Sequence, residues 1–530
     1  DLNAILTVAP DGRGNWLPAA PTGADSDKTQ TSSAKVAVVT EPPAQADAFE
    51  LPDIQLDELL IENAHIQYRD VPNDLQVSAT LNLQLGDVRW DQAWPLLLDI
   101  VVEQNNLAGT APLTATAALG ADLTVFPQRQ ALSLEQLTLK TQLSAAFLPK
   151  SPLVASLALA QLEFDLPQEN LLIDGLQLSS LGVELAASIQ AYQVLSAPSF
   201  DVELTLAQMN PREVLTALAI ELPQMSDDTA LTALAAQLSL SGDSKQIHLN
   251  PLALQLDESQ INMTATVDLA PLYWDLIVQG SSLDLDRYLP PKSEVETVAD
   301  TTNAPSDTAI EPVAELLPVA LLRSLNGRVR FAWEDLKLLN LQLDSLNLHS
   351  TQANGLLQVA PFKAELYQGE VVLEADLDVR KALPKITLQP SVTNVQIQPL
   401  LHDFMDLDMV AGATFLKGDL TLRGNSVAAL MQQLNGDLLV EIKQGAWVGT
   451  NITKTVCEGI AATRNASLDA AAWGQDTPFE RLAFPARIVN GVASTPGLTI
   501  SAAGLTITGD GVISLPESSL NYQADVGWSG

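Results

Sequence analysis

The chain has 530 residues, 47% of them hydrophobic and 5% aromatic, with 27 Lys and Arg against 64 Asp and Glu for a net charge of −37. A single hydrophobic core stops growing at roughly 250–300 residues, so this length implies several domains or one elongated, repeat-like body. The acidity excludes nucleic acid as a partner, because phosphate neutralisation needs basic patches, and it weighs against adsorption to anionic lipid surfaces. The one cysteine, Cys457, excludes an intramolecular disulfide and a cysteine metal cluster.

Taken in chain order, the first element is a strand over Leu2–Val8. Pro18–Asp47 is rich in Ala, Pro, Thr, Ser and Asp and reads as disordered, having too little apolar surface to offset its ordering entropy. Leu75–Leu85 alternates strictly: Leu75, Val77, Ala79, Leu81, Leu83 and Leu85 face one way, Gln76, Ser78, Thr80, Asn82 and Gln84 the other. Trp94–Val102 and, later, Leu316–Leu325 are the longest apolar runs, and both are too short to span a membrane. Leu132–Leu143 alternates with one slip, and the phase shifts again at Leu159–Leu162 and Leu343–Leu346, as β-bulges would make it do. Asn210-Pro211-Arg212-Glu213 predicts a helix start, with Asn as N-cap, Pro at N1 and Glu at N3, followed by Val214, Leu215 and Leu218 on one stripe. Ile247–Leu256, Val371–Val379 and Leu420–Leu422 read as strands, and Pro290–Glu311 as a second disordered stretch. Whether the two stretches are loops projecting from a folded body or plain linkers stays open. Further helices are predicted over Ser426–Leu434 and Thr453–Arg464. Asn-Gly pairs at 326–327, 435–436 and 490–491 signal hairpin turns, and a last strand covers Leu520–Trp528. Strand should reach roughly 45% of the chain, against the ~20–25% usual for globular proteins. Both ends fall inside strands, so the chain reads as a fragment, with any anchor or targeting signal outside it.

A loose repeat is present. A strand leads into Asn210–Leu215 and then Leu238–Ser244; later a strand leads into Gln396–Leu401 and then Leu420–Ser426. Duplication of a β-rich unit suits a quasi-one-dimensional sheet.

Motifs for chemistry are scarce. His65, His248, His349 and His402 have no His or Cys at metal spacing. His248 and His349 occupy polar positions of alternating strands, which makes them solvent-facing, and His402 reads as a surface pair with Asp403 in a short helix. Ser32-Ser33-Ala34-Lys35 matches S-x-x-K inside the first disordered stretch, where no buried lysine can form. Asp284–Asp286 lacks the glycine and terminal Glu of a calcium loop. No P-loop, nucleophile elbow or dinucleotide fingerprint occurs. No cofactor, metal or catalytic residue is expected, and an enzyme is the least supported reading.

One-faced strands must cover their apolar side. Alternation alone favours sandwich cores; the alternative is a long curved sheet with an apolar trough, here about 30 strands at ~4.8 Å spacing. Four stretches then bear on the choice. Asp11-Gly12-Arg13-Gly14-Asn15-Trp16 resembles an element near the start of AsmA-family proteins. Leu51–Asp70, closing in Tyr68-Arg69-Asp70, resembles the next. Pro361–Gly369, within Gly355–Val379, and Leu434-Asn435-Gly436 followed by Gly445–Ile452 resemble two later ones, in family order.

That resemblance implies a mostly β fold: an elongated, curved antiparallel sheet forming an open apolar groove, with a few short helices. It also implies a periplasmic protein anchored to the inner membrane of a Gram-negative bacterium and related to TamB-type and bridge-like lipid-transfer proteins. The implied partners are phospholipids, the inner membrane through an N-terminal anchor missing from this chain, and outer-membrane or periplasmic proteins. The layout expected is the end of an N-terminal β region (1–17), a loop (18–47), a first groove body (48–289), a loop (290–311) and a second groove body (312–530). Strand phase nominates Val77, Leu81, Leu83, Leu139, Leu204, Leu254, Leu373 and Leu377 as groove lining. The function expected is a lipid-transfer conduit that supports outer-membrane lipid homeostasis. The alternative is a periplasmic assembly factor for outer-membrane β-barrel proteins.

Overall fold

A computed structural model describes residues 2–10, 13–16, 55–106, 113–291, 316–463, 474–502 and 505–528. The stretches read as disordered lie outside these residues except for Pro290 and Pro291. Strand makes up 67% and helix 9%, so alternation continues well beyond the runs that were obvious in sequence. The chain divides into two compact units, Asp1–Leu222 and Pro223–Gly530.

The first unit holds β1 (Asn3–Val8), β2 (Gln55–Asp70), β3 (Leu75–Arg89), β4 (Ala93–Asn105), β5 (Leu113–Phe126), β6 (Ala131–Ala145), β7 (Leu153–Asp165), β8 (Asn170–Ser180), β9 (Val183–Tyr192), β10 (Ser199–Met209) and helix α1 (Pro211–Ala217). From β2 to β10 each strand pairs antiparallel with the next, and β1 lies parallel to β2.

The second unit runs β11 (Leu234–Asp243), β12 (Gln246–Leu256), β13 (Ser259–Leu269), β14 (Leu272–Asp284), a 3-10 turn (Leu285–Arg287), α2 (Val319–Ser324), β15 (Gly327–Leu338), β16 (Leu341–Ala353), β17 (Leu356–Leu366), β18 (Gly369–Asp378) and β19 (Lys385–Gln396). It continues through α3 (Ile397–Met405), β20 (Val410–Arg423), α4 (Val427–Gln432), β21 (Asn435–Trp447), α5 (Ile452–Thr463), β22 (Thr477–Val489), β23 (Val492–Ala502), β24 (Leu505–Ser514) and β25 (Ser519–Trp528). Neighbours again pair in sequence order, antiparallel except for β14 with β15. Each unit is therefore mostly β, a curved open antiparallel sheet with a few short helices.

The two parallel steps explain the two low-apolar stretches topologically. Parallel neighbours cannot be joined by a tight turn and need a long crossover. Residues 9–54 connect β1 to β2, and residues 285–326 connect β14 to β15.

The phase shifts have a backbone cause. Between Glu135↔Gln161 and Leu137↔Leu159, both β6 and β7 skip one residue, and Gln136 takes φ +48°. The same happens between Glu334↔Ser345 and Leu336↔Leu343, with Asp335 at φ +56°. A left-handed residue reverses the alternation, so apolar side chains on both sides of it return to one face.

Local signals at helix ends behave as the chemistry requires. Asn210 Oδ1 accepts the N–H groups of Arg212 at 3.0 Å and Glu213 at 3.4 Å to start α1, and Ser426 Oγ accepts Ala429 N–H at 3.2 Å to start α4. The third predicted helix is α5. Of the Asn-Gly pairs, only 490–491 turns a hairpin, between β22 and β23, with φ of +51° and +78°. The other two join α2 to β15 and α4 to β21. There the asparagines accept from neighbouring turns, Asn326 Oδ1 from Asn354 N–H at 2.9 Å and Asn435 Oδ1 from Asn490 N–H at 3.0 Å. The repeat keeps its order, β10–α1–β11 and β19–α3–β20, but then diverges. Gly242–Asp243 ends β11 at a turn into β12, whereas Gly424-Asn425-Ser426 leads into α4.

Three clusters of buried side chains lie in the second unit, around Leu283, Trp333 and Leu336, around Ala364, Leu366 and Val395, and around Ile442, Phe479 and Leu482. They are small against the area of sheet. Most apolar side chains are only half-buried.

Candidate functional site: a charge-free sheet face in each unit

Residues paired across neighbouring strands point to the same face of a sheet. Following the register through the first unit gives an unbroken apolar ladder. It runs Ile61, Leu83, Leu98, Leu119, Leu139, Leu157, Leu178, Leu185, Leu206, one residue from each strand of β2–β10. A second ladder on the same face runs Trp94, Leu123, Leu134, Leu162, Ile173, Ile189, Val202 across β4–β10. Among the registered pairs of β3–β10 this face carries no charged residue; Gln104, Thr141 and Ser180 are its polar members. The charges of these strands, such as Asp99, Asp122, Lys140, Glu163 and Glu203, occupy the opposite face.

The second unit repeats the arrangement. Ala236, Leu254, Ile261, Gly280, Trp333, Leu346, Ala364, Val371, Val392, Leu416, Val440 and Phe484 form one ladder across β11–β22. Beside it runs Leu238, Leu252, Met263, Val278, Phe331, Leu348, Phe362, Leu373, Pro390.

The nine-strand face of the first unit is not a sandwich core, whereas in the second unit Trp333 and Ala364 of the ladder are buried. No member of the nine-strand ladder is buried, and Leu178 is 39% exposed. A second sheet packed face to face would remove such side chains from water almost completely. In each unit the strands are joined into one sheet, and the side chains shield one another laterally.

All eight residues nominated from strand phase sit on these faces, and all are half-buried. Leu83 and Leu139 belong to the nine-strand ladder, and Leu81 and Val77 lie beside Leu83 on β3, opposite Ala64 and Tyr68. Leu204 pairs with Ala187. Leu254 and Leu373 belong to the two ladders of the second unit, and Leu377 pairs with Leu357 and Ile386. Most ladder members, among them Leu98, Leu119, Leu157, Phe331 and Phe362, were not nominated. Their phase was readable, but which residue faces which was not.

The faces' surroundings are acidic. In the first unit two arginines at strand ends are each held by two carboxylates: Arg89 by Asp57 and Asp87, both at 3.0 Å, and Arg129 by Glu163 at 3.0 Å and Asp165 at 3.8 Å. In the second unit the ratio is also found reversed. Asp275 is shared by Arg328 at 2.7 Å and Arg330 at 3.3 Å, which hold its carboxyl below its usual range, Arg328 more strongly.

The histidines are scattered. His248 Nδ1 lies 3.3 Å from Thr266 Oγ1 across the strand pair and is half-buried rather than free in solvent; His349 is exposed. His402 does not pair with Asp403: its Nδ1 meets Asp408 Oδ2 at 3.1 Å, while Asp403 accepts from the Tyr367 hydroxyl at 2.6 Å. Successive helical residues diverge by ~100°, so adjacent side chains face different partners. Among the described residues no three His, Cys, Asp or Glu side chains converge as metal ligands would. Ser32–Lys35 lies outside the described residues.

The motif residues hold the sheet in place. Asn15 sits on the outer edge of β1, its Oδ1 accepting Thr7 N–H at 3.0 Å and its Nδ2 donating to Ile5 O at 2.8 Å, and Trp16 leans on Tyr68 at 6.5 Å between ring centroids. The Tyr68 hydroxyl donates to Asp70 Oδ2 at 3.1 Å, and Asp70 accepts Asn73 N–H and Nδ2 at the β2–β3 turn. Gly369 lies where a Cβ would run into the backbone of Asn394 and Val395. The model of the AsmA family matches residues 1–498.

The chain belongs to the AsmA family. It is 22% identical over 297 residues to Protein AsmA of Escherichia coli (strain K12), a match covering 54% of this chain and 48% of that protein. The chain thus matches about half the length of this AsmA relative. Asp11, Gly12 and residues 51–54 of the family elements lie outside the described residues. No described helix is long and apolar enough to cross a membrane.

Proposed function

We propose that this AsmA-family chain is a passive lipid conduit. It holds phospholipid acyl chains against its apolar sheet faces while the headgroups stay in water. It works in the periplasm, tethered to the inner membrane by the N-terminal anchor that the family implies, and supports outer-membrane lipid homeostasis and biogenesis. The observation that carries this reading is the charge-free apolar ladder that continues from strand to strand and remains half-open. Each methylene withdrawn from water contributes ~0.8 kcal/mol. A lipid moving between neighbouring strands exchanges one leucine for the next and meets no charged side chain. No nucleotide chemistry is assigned to the chain.

The test is mass spectrometry of lipids that co-purify with the protein, combined with Leu81→Asp and Leu373→Asp in cells. The expected result is bound phospholipid and a weakened outer-membrane barrier in the variants. No lipid together with an intact barrier in both variants would sink the proposal.

A second reading, an assembly factor for outer-membrane β-barrel proteins, draws on β25, which pairs with β24 and no other described strand. Strand addition there would use main-chain hydrogen bonds. Crosslinks from β25 to nascent barrels, with no lipid bound, would favour it.

A further inference from the structure

We infer that the second unit docks on a lipid bilayer containing anionic phospholipid, through the end of its strands that carries α2 and α4. The surface is this strand-end rim and not the apolar sheet faces, so the inference stands or falls separately from the conduit reading. The net charge of −37 weighs against such a surface only as an average over the chain. The connections at the α2–α4 end, residues 243–246, 269–272, 316–326, 353–356, 378–385, 423–435, 489–492 and 514–519, hold six basic and three acidic side chains. The described connections at the opposite end, residues 223–234, 256–259, 284–291, 338–341, 366–369, 396–410, 447–463, 474–477, 502 and 505, hold two basic and eleven acidic ones. The unit is polarised along its strand direction.

The positive charge is concentrated. Asp378, Lys385 and Arg423 pair in a row across β18, β19 and β20, and Arg380 meets Asp378 at 2.7 Å. Arg323 of α2 donates to Val379 O at 2.6 Å and Lys381 O at 2.7 Å, which brings two more cations to the same place. Five exposed cations thus surround one carboxylate. The next carboxylate inward, Asp376, accepts from Gln358 at 3.1 Å. Of the other two acidic side chains on this rim, Glu517 lies four strands from Arg423, ~19 Å away, and Asp243 lies beyond β12–β17 beside Lys245. Lys385 and Arg423 stand directly opposite each other, and neither has a carboxylate within 4.0 Å among the described residues. Opposed like charges are destabilising, a cost that an interposed anion removes.

Along the same rim Leu316, Leu321, Leu383, Val427, Met431 and Val489 are each about half exposed. Main-chain hydrogen bonds stitch these connections into one line: Val379 N–H to Gly355 O at 2.9 Å, Gly424 N–H to Pro384 O at 3.1 Å, Leu316 N–H to Asn425 O at 3.0 Å and Gly491 N–H to Leu434 O at 2.8 Å. Exposed apolar side chains among Lys and Arg match a phospholipid headgroup layer, in which cations meet phosphates and apolar ends enter between headgroups. The opposite rim also exposes Phe404 and Met405, but beside Asp403, Asp406 and Asp408, which a layer of phosphates repels. Docking therefore holds the unit by its basic rim and turns the acidic rim to water.

The experiment mixes the full chain with vesicles of phosphatidylcholine alone, or of equimolar phosphatidylglycerol and phosphatidylcholine, and measures the protein that floats with them. At low salt the protein should float with the anionic vesicles and not with phosphatidylcholine alone. In ~1 M salt, where the Debye length is about 3 Å, flotation should fall severalfold. Lys381→Gln with Lys385→Gln and Arg423→Gln should lower partitioning on the order of 100-fold, the loss that three cations at an anionic surface imply. Leu383→Ser with Val427→Ser should lower it about tenfold, and Phe404→Ser on the acidic rim should not change it. All of these side chains are exposed, and an unchanged unfolding transition checks that the variants fold. Equal flotation with the two vesicle types, or an unchanged triple variant, overturns the inference. So does binding of polyglutamate that the triple variant loses, in the absence of flotation, which would reassign the rim to an acidic protein partner. Each of these outcomes leaves the conduit reading in place, because that reading is tested by lipid held on the protein and not by protein held on vesicles.

Discussion

Trp333 lies across the parallel β14–β15 boundary directly over Gly280, filling the space a Cβ there would occupy. Trp274 does the same in the other direction over Gly327. A parallel step has evenly spaced, slanted hydrogen bonds and no hairpin to fix its register. Two bulky rings seated on two glycines supply that register, and Phe331 stacks on Trp333 at 5.4 Å between centroids. Gly280→Ala should therefore destabilise the second unit by about 1–3 kcal/mol through overpacking. Urea unfolding followed by tryptophan fluorescence checks it; an unchanged midpoint would show that the ring is free to move aside.

Leu139 and Thr138 are sequence neighbours on opposite faces of β6, paired to Leu119 and Gly120. Leu139→Asp puts a carboxylate in the middle of the nine-strand ladder, whereas Thr138→Asp adds one to a face that already carries charges. Lipid loading of the purified protein should drop severalfold for the first and stay within error for the second. Equal loading of the two would mean that the apolar face is not where lipid sits.

Asp257 is 7% exposed and takes N–H bonds from Leu231 at 2.7 Å, Thr232 at 2.8 Å and Ala233 at 2.9 Å, and the Tyr288 hydroxyl at 2.5 Å. Burial opposes its charge, but the bonds from Tyr288 and the three backbone groups outweigh it and hold the carboxyl at about 2, below its ordinary 3.8. A folded-state value below the unfolded one contributes stability that is present above about pH 4. It is lost as pH falls from there through about 2, on the order of 2 kcal/mol. Tyr288→Phe should move that acid limb to higher pH in a denaturation series. An acid limb identical to the parent's would show that Tyr288 contributes nothing to it.

Asn15 satisfies two backbone groups on the outer edge of β1, Thr7 N–H and Ile5 O. An unguarded edge strand invites pairing with another chain. Asn15→Ala should speed amide exchange at Thr7 and cost β1 about 1 kcal/mol per lost hydrogen bond, with little change in β4–β10. Exchange read residue by residue decides this; an unaltered Thr7 rate rules it out.

What the sequence determined by itself was strictly local. Alternation in Leu75–Leu85 set a strand with an apolar side, since successive side chains point oppositely. The Asn210 and Ser426 caps set the starts of α1 and α4, since a side-chain oxygen three residues away satisfies an otherwise orphan N–H. The motif residues placed the chain near its family because they occupy tight positions, such as Gly369 beneath Val395. The tertiary structure decided everything that depends on a distant partner. Register alone brings Leu83, Leu139 and Leu178 onto one ladder, because hydrogen bonds between strands carry no trace in the spacing of one strand. His402 finds Asp408 rather than its neighbour Asp403 because helix geometry separates adjacent side chains. Above all, a one-faced strand reads the same whether its apolar side is covered by a second sheet or left open. Only the half-exposed leucines of the folded sheet tell the two apart, because burial is a property of what lies opposite and not of the strand itself.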